Sequence, residues 1–183
     1  GDVYKRQIYM KRFILSIALS LLVLTISAQI QRTFFGCTLG VSTKAFVKNA
    51  MIRKGHYLQV KSNKYIYYDV KFGGFECDKV VFSFFSGKLF RVDIHINNQN
   101  GDKSLADQEY KKLHSLLDAK YSNYKIEDEC NYQEPYWELF CNYKDEKTSV
   151  SLQFPEHYET WVVMTYLDLE LNRLRLKYIS DIL

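Results

Sequence analysis

The sequence predicts an α+β fold built from two tandem helix-plus-antiparallel-four-strand units, with the helices packed on one face of the sheet or sheets. Three observations lead there. Apolar residues alternate with period two in several stretches separated by glycine-containing or polar turns, the mark of β-hairpins. Two other stretches, near Thr43–Lys54 and Ser104–Tyr121, carry apolar stripes at helical spacing. The resulting order is helix and four strands, then helix and four strands, starting at Ser42 and Ser104.

The first segment stands apart. Met10-Lys11-Arg12, the apolar run Phe13–Ile26 and then Ser27-Ala28 read as a signal peptide, preceded by an extension, Gly1–Tyr9. The run is shorter than the roughly 20 residues of a comfortable span, so no stable membrane span is expected after cleavage. Residues 1–28 are therefore assigned to extension plus signal peptide, and 29–183 to a single domain of two units, about 34–98 and 99–183. Removing the leader takes four of the 25 basic and one of the 21 acidic side chains, leaving a nearly neutral chain. Nucleic acid is not an expected partner.

In the first unit, Ser42 is the expected N-cap of a helix whose stripe is Phe46, Val47, Ala50 and Met51, ended at Gly55. Tyr57–Val60 and Tyr65–Phe72 follow as strands. In the second of these, Ile66, Tyr68, Val70 and Phe72 alternate against Tyr65, Tyr67, Asp69 and Lys71. Gly73-Gly74 turns the chain into the clearest hairpin, Val80–Ile96. A three-residue loop at Ser86-Gly87 is expected there, placing Phe82 near Phe90 and Val80 near Val92, with Ser83, Arg91, Asp93 and His95 facing outward.

After the polar loop Asn97–Lys103, Ser104 with Asp107 approximates a capping box for a helix presenting Tyr110, Leu113, Leu117 and Tyr121. Strands are expected at Tyr124–Asp128, Trp137–Tyr143, Ser149–Phe154 and Trp161–Leu167. The tail from Asp168 suits a short helix through Leu171, Leu174, Tyr178 and Ile182, although Leu174, Leu176 and Tyr178 also alternate. Cys37, Cys77, Cys130 and Cys141, an even number in an exported chain, favour disulfides, with Cys130–Cys141 and Cys37–Cys77 the preferred pairing. No metal or cofactor motif is present: C-x-x-C and His-x-x-x-His spacings are absent, and Phe72-Gly73-Gly74-Phe75 joins strand to strand and precedes no helix N-terminus.

The succession FFGCTLGVSTKAFVKNAMIRKGH, KFGGFECDKVVFSF, GKLFRVDIHI and EYKKLHSLLDAKY resembles a family of small exported Bacteroidetes proteins of uncharacterised function. That family is similar in element order to tandem helix-plus-four-strand proteins, the β-lactamase inhibitor protein and small outer-membrane-assembly lipoproteins. The resemblance covers most of Phe34–Leu167 and offers no catalytic residue to transfer. It implies a binding module in the periplasm or outside a Gram-negative cell. The lipobox cysteine of lipoprotein relatives is missing.

Candidate chemistry is sparse. Asp93 and His95 share a strand face, but a solvated outer face of a half-buried sheet explains them better than an acid–base pair does. Glu127, Asp128, Glu129 and Glu134 lack the alternation of a calcium loop. The aromatic excess is the most informative feature: Tyr65 and Tyr67, with Tyr132, Tyr136 and Tyr158 in loops, are expected to form an exposed binding patch. The expected function is a non-enzymatic, exported binding protein with a protein partner. A carbohydrate-binding module using the same tyrosines is the alternative, and a small hydrolase a remote third.

Overall fold

A computed structural model describes residues 29–96, 103–133, 136–155 and 162–182, without the side chains of 103, 127–140 and 155. The chain opens with a small ribbon, β1 (Thr33–Phe34) against β2 (Cys37–Thr38). Helix α1 (Lys44–Arg53) follows. Its cap is Thr43, whose hydroxyl accepts from Phe46 N at 3.3 Å. The expected cap, Ser42, instead accepts from Thr38 N and closes the preceding turn. Gly55 (φ +82°) ends the helix as predicted, with Gly55 N bonded to Ile52 O and His56 N to Met51 O. That reciprocal pair satisfies two terminal carbonyls and needs the left-handed conformation glycine adopts freely.

Strands β3 (Leu58–Lys61), β4 (Lys64–Phe72), β5 (Phe75–Phe85) and β6 (Lys88–Ile96) form one meander. Helix α2 (Lys103–Tyr121) and a 3₁₀ turn lead to β7 (Lys125–Gln133), β8 (Tyr136–Lys144), β9 (Thr148–Pro155) and β10 (Val162–Asp168). Helix α3 (Leu169–Ser180) ends the described chain, resolving the ambiguity of the tail in favour of helix. All eight strands join one antiparallel sheet in the order β3-β4-β5-β6-β10-β9-β8-β7, so β6 and β10 meet at its centre.

Val47 and Met51 of α1, and Ala106, Tyr110, Leu113, Leu117 and Tyr121 of α2, pack with Phe82, Val92, Ile94, Val150, Leu152 and Met164 into one core. Helices therefore cover one sheet face, as expected, with one exception. Helix α3 lies across the opposite face, where Arg175 sits over the Phe90 ring at 5.5 Å and Tyr178 meets Phe85 at 6.2 Å.

The central hairpin differs from its predicted register for a physical reason. Ser86 and Gly87 both have positive φ, 48° and 77°, making a two-residue turn that pairs Phe85 with Lys88. Continued regularly, that register would set Arg91 opposite Phe82. A bulge at Phe90 absorbs one residue, and Phe82 pairs Val92 while Ser83 pairs Arg91. The apolar phase is thus restored by the bulge and not by loop length. A second irregularity lies at Asp69 (φ +51°) and between Cys77 and Lys79. On one side of it Tyr65 and Tyr67 face the core; on the other Val70 and Phe72 do.

The N-terminal lead-in is bolted to the far half of the sheet through Arg32. Its guanidinium donates to Asp168, Thr148 Oγ1 (2.6 Å), Lys147 O (3.0 Å) and Leu39 O (3.0 Å). Asp168 in turn caps α3, accepting from Leu171 N at 2.8 Å. Because Asp168 is nearly fully buried, losing Arg32 would strand a charge. We expect Asp168→Ala to lower stability by about 3 kcal/mol in urea unfolding, and Asp168→Asn, which keeps a cap but not the ion pair, to fall between it and wild type. Equal losses for both variants would show that the ion pair contributes nothing.

Candidate functional site

The sheet face under α3 carries a row of side chains running across four adjacent strands. Lys64 pairs Ser83, Ser83 pairs Arg91 and Arg91 pairs Leu167, which puts Lys64 and Arg91 on either side of Ser83. Two strand spacings separate the two cations, about 10 Å. Helix α3 crosses above and adds Arg175, Tyr178 and Ile179, and the intervening groove encloses about 480 Å³. Phe85 and Phe90 floor it at the hairpin end.

The polar atoms of this groove are unevenly used. Arg91 Nε donates to Asp93 Oδ1 at 2.7 Å, and Thr165 Oγ1 donates to the same oxygen at 2.7 Å. Asp93 is thereby held beneath the sheet surface, while no bond to the terminal nitrogens of Arg91 is formed among the described residues. Arg175 shares Asn172 Oδ1 through Nε and Nη2 at 3.2 and 3.1 Å and rests on Phe90. Ser83 is 4 % exposed, and its hydroxyl has no hydrogen-bond partner. A buried hydroxyl left unsatisfied costs stability, so this one is an unfilled position at the base of a cationic groove. No carboxylate, thiol or imidazole lines it.

His95 lies further along the same face, opposite Lys79 and Val163. Burial, reinforced by the Lys79 charge, lowers its pKa to about 4, so the ring is neutral at physiological pH. With Asp93 committed to Arg91 and Thr165, the pair is not arranged as base and orienting carboxylate.

A larger cavity, about 600 Å³, lies elsewhere, beside the Lys144–Lys147 turn and Arg32. Two of its polar side chains already serve the fold: Asp145 accepts from Ile30 N, Lys147 N and Thr148 N, and Arg32 is engaged with Asp168 and Thr148. A third cluster ties α2 to the sheet. Asp118 accepts from Tyr143 Oη at 2.7 Å and Lys125 Nζ at 2.9 Å, with His114 3.6 Å away. Burial pushes the Asp118 carboxyl up, but the bonds from Tyr143 and Lys125 and the nearby charges outweigh it, for a net lowering.

The expected aromatic patch does not form as predicted. Tyr67 is fully buried, edge-on to Phe82 at 5.8 Å, and burial raises its hydroxyl to about 12. Tyr65 is half-buried, edge-on to Phe84 at 5.1 Å. Both face the helices because of the phase change at Asp69. Tyr132 and Tyr136 sit in strands β7 and β8 and not in loops; their side chains, and all of Tyr158, lie outside the described residues. The glycan reading therefore loses its two central tyrosines.

The cysteine expectation is also corrected. Among the described residues there is no disulfide, and Cys37 and Cys77 are buried thiols raised by burial to about 11 and 12. They pack as small apolar side chains. Cys130 lies opposite Leu139 and Cys141 opposite Asp128, so the two are diagonal and not directly paired. Diagonal positions are about 7–8 Å apart at Cα, beyond most disulfides. The side chain of Cys130 lies outside the described residues.

Of the groove residues, Ser83 and Arg91 were legible from alternation. Lys64 was not, since it arrives through the pairing of β4 with β5, and Arg175, Tyr178 and Ile179 were not, since only the docking of α3 brings them there. No group of three or more potential metal ligands occurs among the described residues, and no helix there is long and apolar enough to cross a membrane. No family model, curated protein or solved structure matches the chain.

Two outcomes follow. Asp118 has a lowered folded pKa, so its contribution is present above the unfolded value of about 3.9 and is lost as pH falls through the folded value. Tyr143→Phe, which removes one of the bonds lowering it, should lower the melting temperature at pH 7 and flatten the acid side of the melting curve. Cys37 and Cys77 should resist iodoacetamide in the native protein and be alkylated at once in denaturant; rapid native labelling would contradict their burial.

Proposed function

We propose that the chain is an exported, non-enzymatic binding protein of the periplasm or extracellular space that engages an envelope or extracellular protein through the groove beneath α3. The observation that carries this is the seating of α3 itself. The helix has no buried residue, and Leu174, Leu176, Tyr178 and Ile179 remain exposed along it, as does Ile182 just past its end. A helix laid over a sheet face, leaving apolar side chains uncovered and an open groove beneath, has the character of an unfinished interface.

The groove chemistry supports a non-catalytic role, because its lining offers cations, rings and the Ser83 and Tyr178 hydroxyls with no carboxylate or imidazole beside them. The likeness in element order to tandem helix-plus-four-strand binding proteins supports the same reading. We read the two four-strand meanders meeting at β6 and β10 as the two tandem units.

Affinity capture from an envelope extract, with the purified protein as bait, tests the proposal. The expected result is one protein retained near stoichiometry by wild type and lost by a Tyr178→Ala/Ile179→Ala chain of unchanged melting temperature. An empty eluate, retention indifferent to the double substitution, or recovery of polysaccharide in place of protein would overturn it.

A further inference from the structure

We infer that the groove takes an acidic peptide segment of a partner protein, with a carboxylate set among Lys64, Arg91, Arg175 and the Ser83 hydroxyl and a neighbouring apolar side chain against Phe85 and Tyr178. The inference rests on the binding function proposed above and names the chemistry of its ligand.

Charge complementarity selects the ligand. Three cations line the groove without a carboxylate among them, and Asp93, the acid beside Arg91, is already engaged by Arg91 Nε and Thr165. The remaining polar atoms are almost all donors. A neutral sugar offers hydroxyls that need acceptors as well, and the side-chain acceptors here are Asn63, Ser83 and Tyr178, of which Asn63 Oδ1 already accepts from Lys44 Nζ. A neutral apolar ligand would cover the cations without pairing them, at a desolvation cost. An anion removes that cost and gives the Ser83 hydroxyl, 4 % exposed and without a partner, an acceptor.

Shape narrows the choice. The aromatic walls are short and lie at one end, Phe85 and Tyr178 being 6.2 Å apart between ring centres. They suit one or two side chains and not the length of an acyl tail. A volume of about 480 Å³ is that of a pocket for a small segment.

The test is fluorescence anisotropy with the purified protein and two labelled peptides, one alternating glutamate and phenylalanine, the other lysine and phenylalanine. The acidic peptide should bind at least about tenfold more tightly, and added salt should weaken it. Lys64→Glu and Arg175→Glu should each cut that affinity about tenfold or more. Lys64 is exposed, which keeps that variant informative should Arg175→Glu disturb α3. Equal binding of the two peptides, indifference to both substitutions, or stronger binding to phosphatidylglycerol vesicles or an anionic polysaccharide would overturn the inference. A partner captured from the envelope and retained fully by both charge variants would leave the binding function standing and remove the acidic-peptide ligand. Selective binding of the acidic peptide with no protein captured would do the reverse.

Discussion

The contact on which the molecule most depends is that between Arg32 and Asp168. One guanidinium gathers the end of β10, the β8–β9 turn and the lead-in to α1, through Asp168, Thr148, Lys147 O and Leu39 O. Asp168 uses its other oxygen to start α3. Gly40 is required beside it: with φ at +77°, an added Cβ would stand 2.7 Å from Asp168 Oδ2. The position and direction of the C-terminal helix, and so the groove beneath it, follow from this one buried node. A desolvated ion pair contributes little net stability, yet loss of either partner is costly, and this asymmetry holds the geometry in place.

The second constraint is the phase of the central strands. Apolar side chains cannot face water for a whole strand, so a two-residue turn at Ser86-Gly87 is compatible with this sequence only if a residue is absorbed elsewhere. Phe90 is that residue. Its ring, released from the core face, becomes the surface on which Arg175 rests. A correction to strand register thereby builds part of the groove beneath α3. The irregularity at Asp69 has the opposite consequence, since it turns Tyr65 and Tyr67 inward and removes the patch that strict alternation through β4 would have exposed.

The buried polar groups divide by their satisfaction. Tyr143, Lys125 and Asp118 complete one another and join α2 to β8. Thr165, Asp93 and Arg91 do the same on the other face. Ser83, one row away from Asp93 and flanked by cations, is among those left over, with the Tyr67 hydroxyl on the core side. Cys37 and Cys77, which the even cysteine count had suggested joining, are absorbed into the interior as apolar volume.

Local chemistry by itself determined the elements: the two core-facing helices from their apolar stripes, the Gly55 helix end, the Gly73-Gly74 turn, and the outward set Ser83, Arg91, Asp93 and His95. These rest on contacts within a few residues, which the order of side chains specifies directly. What only the tertiary structure decided rests on pairs far apart in the chain. The joining of eight strands at β6 and β10, the docking of α3 on the face opposite the other helices, and the meeting of Lys64, Ser83, Arg91 and Arg175 are of this kind. So is the inward turn of Tyr65 and Tyr67, because a single left-handed residue changes which face every later side chain occupies, and periodicity read from sequence assumes no such residue.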